Sequence, residues 1–270
     1  MKLFDAHCHL QDSRLRKNLA GVLQRARAVG LEGMLCCGSA EDDWEDVAVI
    51  AAESSMVVPA FGLHPWYVQK RSACWEDRLR AFLHRFPFAA VGEIGLDHAL
   101  PGRNDEEQRI VFLAQLALAR ELRRPVAIHC RRAWSDLLSM QAELAALPAG
   151  FLVHSYSGSV NMIETLTRLG GWFSFSGSIT WPRNLRGQSA VRQVPEERLL
   201  IETDAPDLRP WLSGSADSPA DEPNEPANLS LILRRVAELR GMPPEAMAER
   251  LWSNTLEFLG PDVVSEKRPV

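Results

Sequence analysis

Lysine is nearly missing from this sequence. Of 30 basic residues only Lys2, Lys17, Lys70 and Lys267 are lysines, and none of them ends a strongly apolar run. A Schiff-base lysine, or a carbamylated lysine bridging two metals, therefore has no candidate. Cysteine is sparse as well. Cys8, Cys36, Cys37, Cys74 and Cys130 are odd in number and form no C-x-x-C pair, which argues against a disulfide framework and for a reducing compartment. All but Cys74 fall inside apolar runs, where cysteine acts as a small buried hydrophobe. No apolar stretch approaches the roughly 20 residues needed to span a bilayer. The start, Met1-Lys2-Leu3-Phe4-Asp5, turns acidic at once and lacks the apolar segment of a signal peptide. A cytoplasmic protein without membrane association is expected. Excess positive charge is also lacking: the net charge of −5 gives no general attraction for polyanions. That counts against a protein that coats DNA tightly and non-specifically but leaves room for a local cationic cleft.

What is present is alternation. Short β-rich runs at 3–7, 33–37, 57–62, 89–94, 126–130, 151–154, 172–176 and 199–203 are separated by helix-period segments such as 14–29, 105–122, 133–144 and 160–169. The segment 105–122 has acids in its first turn and apolar residues at Ile110, Phe112, Leu113, Leu116 and Leu118, the pattern of an amphipathic helix. Eight such units in 270 residues, 46% of them hydrophobic, predict an α/β fold of the closed (β/α)₈ TIM-barrel type. An open doubly wound sheet would gather its ligand groups at one switch point. A single barrel domain over 1–262 is expected, with a long loop at 206–226, extra C-terminal helices at 229–240 and 244–258, and a tail at 263–270.

The apolar runs that carry a histidine or an acid carry it near the trailing end, at His7 and His9, His64, Glu93, His129, His154 and Asp204. A parallel barrel presents all those ends on one face. His7 and His9, two apart in an extended run, project from the same side, and neighbouring imidazoles suit a borderline divalent metal. A carboxylate inside an apolar strand, as at Glu93, is costly unless paired or bound to a cation. Two ions answer the supply of ligands: one held by His7, His9, Glu93 and Asp204, the other by Glu93, His129 and His154. Glu93 and Asp204 are the expected catalytic groups, Asp204 also being able to take a proton from the attacking water. His64 contacts either substrate or metal. Arg131, two past His129, either binds a substrate phosphate or carboxylate or simply begins the next helix. Asp97 caps the loop that follows it, and His84 and His98 are solvated or structural. Mg²⁺, Mn²⁺ and Zn²⁺ remain open, with imidazole ligation leaning to Zn²⁺ or Mn²⁺.

In this order, Phe4-Asp5-Ala6-His7-Cys8-His9, Gly62-Leu63-His64-Pro65, Gly92-Glu93-Ile94-Gly95-Leu96-Asp97, Ile128-His129-Cys130-Arg131, His154-Ser155-Tyr156-Ser157-Gly158 and Glu202-Thr203-Asp204-Ala205-Pro206 resemble the motifs of the TatD-like metal-dependent hydrolases, within the amidohydrolase-type barrels. Asn224-Glu225-Pro226-Ala227-Asn228 and the Asn254 region share the likeness, which runs from residue 3 to about 259. The resemblance implies a (β/α)₈ fold and divalent-metal phosphodiester hydrolysis, typically by a 3′→5′ exonuclease on DNA ends. It implies the same metal ligands and a substrate contact for His64. Two departures bear on substrate. The loop between the Asp-Ala-Pro and Asn-Glu-Pro motifs is acidic over 213–222 where the family carries basic residues, with Arg209 as its only cation and Arg183 and Arg186, after the seventh strand, as compensating ones. His98 stands where the family often has an aromatic residue.

Two other functions compete. A metal-dependent esterase or amidohydrolase, such as an aminoacyl-tRNA deacylase, fits the acidic loop. A metal-bound partner subunit of a larger assembly would use exposed tryptophans such as Trp181 or Trp211 as anchors. A monomer is the simplest expectation for oligomeric state.

Overall fold

Strands covered by helices on one face and closed on a packed barrel interior on the other have no polar side, and the apolar runs of this chain are buried along nearly their whole length. In the computed structural model, which describes residues 1–211 and 222–261, they form β1 (Leu3–Cys8), β2 (Leu31–Cys37), β3 (Val57–Phe61), β4 (Ala90–Asp97), β5 (Val126–Arg131), β6 (Phe151–Val153), β7 (Gly171–Phe175) and β8 (Leu199–Ile201). Each strand pairs in parallel with the next, in the order β1 to β8. The two end strands meet just past β8. There Thr203 N–H donates to the Asp5 carboxylate (2.8 Å), Asp204 N–H to the His7 carbonyl (2.9 Å) and His9 N–H to the Ala205 carbonyl (2.7 Å). The sheet is thereby drawn round into the expected TIM barrel. The tail at 263–270 and residues 213–221 of the acidic loop lie outside the described residues. Among the described residues no helix is long and apolar enough to cross a membrane.

Side chains alternate between two apolar layers. Met34, Cys36, Val57, Ile128 and Phe173 belong to the large core shared with the helices. Phe4, Leu35, Val58, Ala90 and Ala127 fill the barrel interior. The C-terminal helix Pro244–Leu259 packs Trp252, Leu256 and Leu259 against that interior set.

Apart from an irregularity between Leu3 and Phe4 at the start of β1, the alternation breaks twice, in the two strands that matter most. Between Asp5 and Cys8, β1 spends three residues where β2 spends two. Between Val91 and Ile94, β4 does the same against β5. Such bulges re-aim a side chain. Without the extra residue, Val91 and Ile94 could not both face the helices as they do, and Glu93 would share the outward face of Val91.

The helices follow the sequence expectation with instructive exceptions. The segment Asp105–Leu122 starts on Asn104, whose side chain accepts from Glu107 N–H. Ile110 on it is 56% exposed, while Gln108 and Gln115 are buried. The segment expected as one helix over 14–29 is two, Ser13–Arg16 and Leu19–Ala28, divided at Asn18, a residue whose side chain competes with helical backbone bonds. That over 133–144 divides at Met140, next to Ser139, which bonds back to the Asp136 carbonyl. β4 runs on to Asp97, three residues past its expected end, so Glu93 lies within the strand rather than at its tip.

Candidate metal centre at the barrel mouth

Glu93 is the hub. Its Oε2 lies 3.4 Å from His7 Nε2 and 3.5 Å from His9 Nε2. Those two nitrogens are 3.2 Å apart and stand 3.8 Å and 3.6 Å from Asp204 Oδ1. Its Oε1 faces the other way, 3.0 Å from His129 Nδ1, 2.8 Å from His154 Nε2 and 3.4 Å from His64 Nε2. All seven histidine, glutamate and aspartate side chains singled out for the strand ends thus converge, although they come from β1, β4, β5 and the segments after β1, β3, β6 and β8. The two sets meet on one carboxylate, an oxygen each.

The rings are held by partners on their other nitrogens. His9 Nδ1–H donates to the Cys37 carbonyl at 2.8 Å, which leaves Nε2 for the centre. His129 Nε2 lies 3.2 Å from Asp97 Oδ2, and His154 Nδ1 3.4 Å from Glu202 Oε1. Such partners set tautomer and orientation in metal sites. Asp97 does cap its loop, accepting from Ala99 N–H at 2.7 Å. It also holds His129 and Trp66, whose indole N–H donates to Oδ2 at 2.7 Å, a wider role than loop capping. Glu202 accepts from the Ser174 hydroxyl as well. Asp5, fully buried, ties Thr203 and the loop of Asp204 to β1. Sequence reasoning missed Asp5 and Glu202, though the signal used for Glu93, an acid inside an apolar run, marks both.

Two glutamines act from below the mouth. Gln115 accepts from Leu63 N–H (2.7 Å) and donates to the Leu63 carbonyl (3.2 Å), fixing the backbone next to His64. Gln108 makes the same pair of bonds with Asp97, at 2.9 Å and 3.2 Å. Seven residues apart, they share one face of the helix Asp105–Leu122. Gly95 completes the support at φ +148°. A Cβ there would lie 1.9 Å from the His129 carbonyl oxygen, so the close approach of β4 to β5 requires glycine.

Electrostatics favour a cation. Burial opposes ionisation of Glu93, yet His64, His154 and His7 hold its carboxyl well below the usual range. Asp204 is held down in the same way against burial, mainly by its bond with His9. Burial would lower His9, but Asp204 and Glu93 raise it to about 10. His64 is pushed down to about 4 by burial, and burial pushes Asp5 up to about 8. The centre's imidazole and carboxylate donors stand 2.8–3.8 Å apart, the spacing of ligands each about 2.0–2.2 Å from a shared ion. His7, His9 and Asp204 form one group fit to hold a metal, and His64, Glu93 and His129 another.

Two clefts open from the centre. One, of about 330 Å³, is lined by Asp12, Arg14, Asp43 and Asp207. The other, of about 640 Å³, is lined by Arg131, Ser155, Asn184 and Arg186. Arg131 is exposed at the end of β5, two residues past His129 as expected, and is not among the converging groups. His84 is exposed. His98 lies apart as well, with Nε2 3.3 Å from Asp136.

A model of the family described as TatD related DNase matches residues 4–260. The uncharacterized metal-dependent hydrolase YjjV of Escherichia coli is 32% identical over 256 residues, covering 94% of this chain and 96% of that protein. The 3′-5′ ssDNA/RNA exonuclease TatD of Citrobacter koseri is 32% identical over 260 residues, covering 96% and 99%. The crystal structure of Escherichia coli YjjV superposes with a TM-score of 0.88 at 30% identity, covering 95% of this chain and 97% of that one.

Proposed function

This chain belongs to the TatD related DNase family of metal-dependent hydrolases, and from that membership we propose that it is a 3′→5′ exonuclease of single-stranded nucleic acid, with DNA ends as substrate. One observation carries the reading: the two oxygens of Glu93 are divided between two sets of imidazoles. His7, His9, Glu93 and Asp204 would hold one divalent ion, and Glu93, His129 and His154 a second. When bound, a pair of ions in such a site supplies an activated water and charge for the scissile phosphate and its leaving oxygen. Asp204, ionised and facing His9, takes the proton of the attacking water. His64, kept neutral by burial, contacts substrate beside Glu93. Arg131, in the wider cleft, receives a phosphate.

Incubating purified protein and a 5′-labelled single strand with Mg²⁺, Mn²⁺ or Zn²⁺ tests this. A ladder of products shortened from the 3′ end, abolished by EDTA, is expected. Intact strands with every metal would overturn it. The acidic lining of the narrower cleft favours a second reading, hydrolysis of an ester carrying a cationic amine such as aminoacyl-tRNA. Charged tRNA in the same assay separates the two, since release of amino acid with DNA left intact would support only the second.

A further inference from the structure

A tryptophan in the open needs a reason. Trp66 is 47% exposed, yet it is not loose: its indole N–H is tied to buried Asp97 at 2.7 Å, and its ring meets that of His64 at 86° with centroids 5.0 Å apart. It lines both clefts, as do His129, His154 and Asp204 of the metal centre, so it stands where the two meet. The clefts differ in charge. In the narrower, the single guanidinium of Arg14 is already paired with Asp12 and Asp207, at 2.8 Å each, and Asp43 adds a further carboxylate. The wider shares Asp204 and Asp207 with it but not Asp12 or Asp43, and its two guanidiniums, Arg131 and Arg186, have no ion-pair partner among the described residues.

We propose that Trp66 is the platform on which the base flanking the scissile phosphate stacks, while Arg131 and Arg186 hold the phosphates of the rest of the strand. This rests on the nuclease reading and adds the course of the substrate across the mouth. A π-face accepts any base, so a single anchored ring binds strands without regard to sequence. Like charge keeps the polyanion out of the narrower cleft. The chain then runs away from the centre on one side only, which leaves room for a terminal nucleotide, not a continuing strand, on the other. Charge at the mouth reconciles an acidic protein with a polyanionic substrate.

Two substitutions separate stacking from the bond to Asp97. Trp66→Phe and Trp66→Leu both lose the indole N–H, but only the first keeps an aromatic face. On oligothymidylate, Trp66→Leu is expected to raise KM about tenfold, the loss of one stacked base, and Trp66→Phe by less than about threefold. On a strand whose two 3′-terminal residues are abasic, wild type and Trp66→Leu should have equal KM values. An equal loss by Trp66→Leu on both strands, or by Phe and Leu alike, overturns the platform. Arg186→Gln should make the slope of log KM against log salt shallower by about 0.7, one phosphate contact; an unchanged slope removes Arg186 from the path. Should the wild type cut no strand with any metal, the nuclease reading fails by itself. Anisotropy of the same two labelled strands on metal-free protein then decides the platform: tighter binding of the intact strand in wild type but not in Trp66→Leu sustains it, and equal affinities sink it.

Discussion

Glu93 stands among five imidazoles and meets all of them through two oxygens that do different work. Replacing it with glutamine keeps the shape and removes the charge that both imidazole sets share. Glu93→Gln should therefore lower kcat by well over the roughly 100-fold that loss of a ring-orienting partner costs, and should lower bound metal measured by elemental analysis. Glu202→Gln tests such a partner. Its oxygen fixes His154 from the far side of the ring, so metal affinity measured by calorimetric titration should fall by about 10–100-fold. An affinity unchanged from wild type would show that His154 keeps its orientation without Glu202. At this scale the sequence was legible wherever a polar group sat against its surroundings. His7, His9, His129 and His154 stood out of aliphatic runs, and the carboxylates did too. It did not distinguish Glu93, aimed at the centre, from Asp5 and Glu202, which serve protein groups. All three are acids in or directly after apolar strands, and what each meets is set by strands remote in the chain.

At the scale of elements, the helix Asp105–Leu122 does more than cover the barrel. Gln115 supplies both hydrogen bonds for the Leu63 backbone, whose groups would otherwise be buried without partners. Gln115→Leu should cost about 2–6 kcal/mol of stability, since each of the two unmet groups costs about 1–3 kcal/mol, read as a lower urea midpoint, with weaker turnover because His64 is the next residue. A midpoint within error of wild type would mean that water satisfies those groups. Nothing local marked Gln108 or Gln115 as anchors. Both read as polar positions on an amphipathic helix, and Ile110, read as apolar, faces solvent. The boundaries of that helix and of Leu229–Arg240 were legible because their caps are local. The breaks at Asn18 and Met140 depend on single turns where helix and loop differ by little energy, and periodicity alone passes over them.

For the whole molecule, a bound ion is part of the fold. The centre draws on β1, β4, β5 and the segments after β3, β6 and β8, and it straddles the seam where β8 meets β1. Metal at about 100 times its Kd should stabilise the protein by about 2.7 kcal/mol, a rise in Tm of roughly 5–10 °C for a chain of this size. Differential scanning calorimetry with Mn²⁺ and with EDTA checks it, and Glu93→Gln should erase the shift. A shift of the same size in Glu93→Gln would point to binding elsewhere.

The amino-acid sequence determined which segments are strands, how many there are, and which imidazoles and carboxylates stand near their ends, because burial and periodicity are written residue by residue. Only the tertiary structure decided where those groups point. Strict alternation would turn Glu93 outward with Val91, and His7 away from the interior that Phe4 and Ala6 face. The bulges in β1 and β4 reverse that. A bulge is a mismatch between two strands, so its position depends on the register of a neighbour that no local pattern contains.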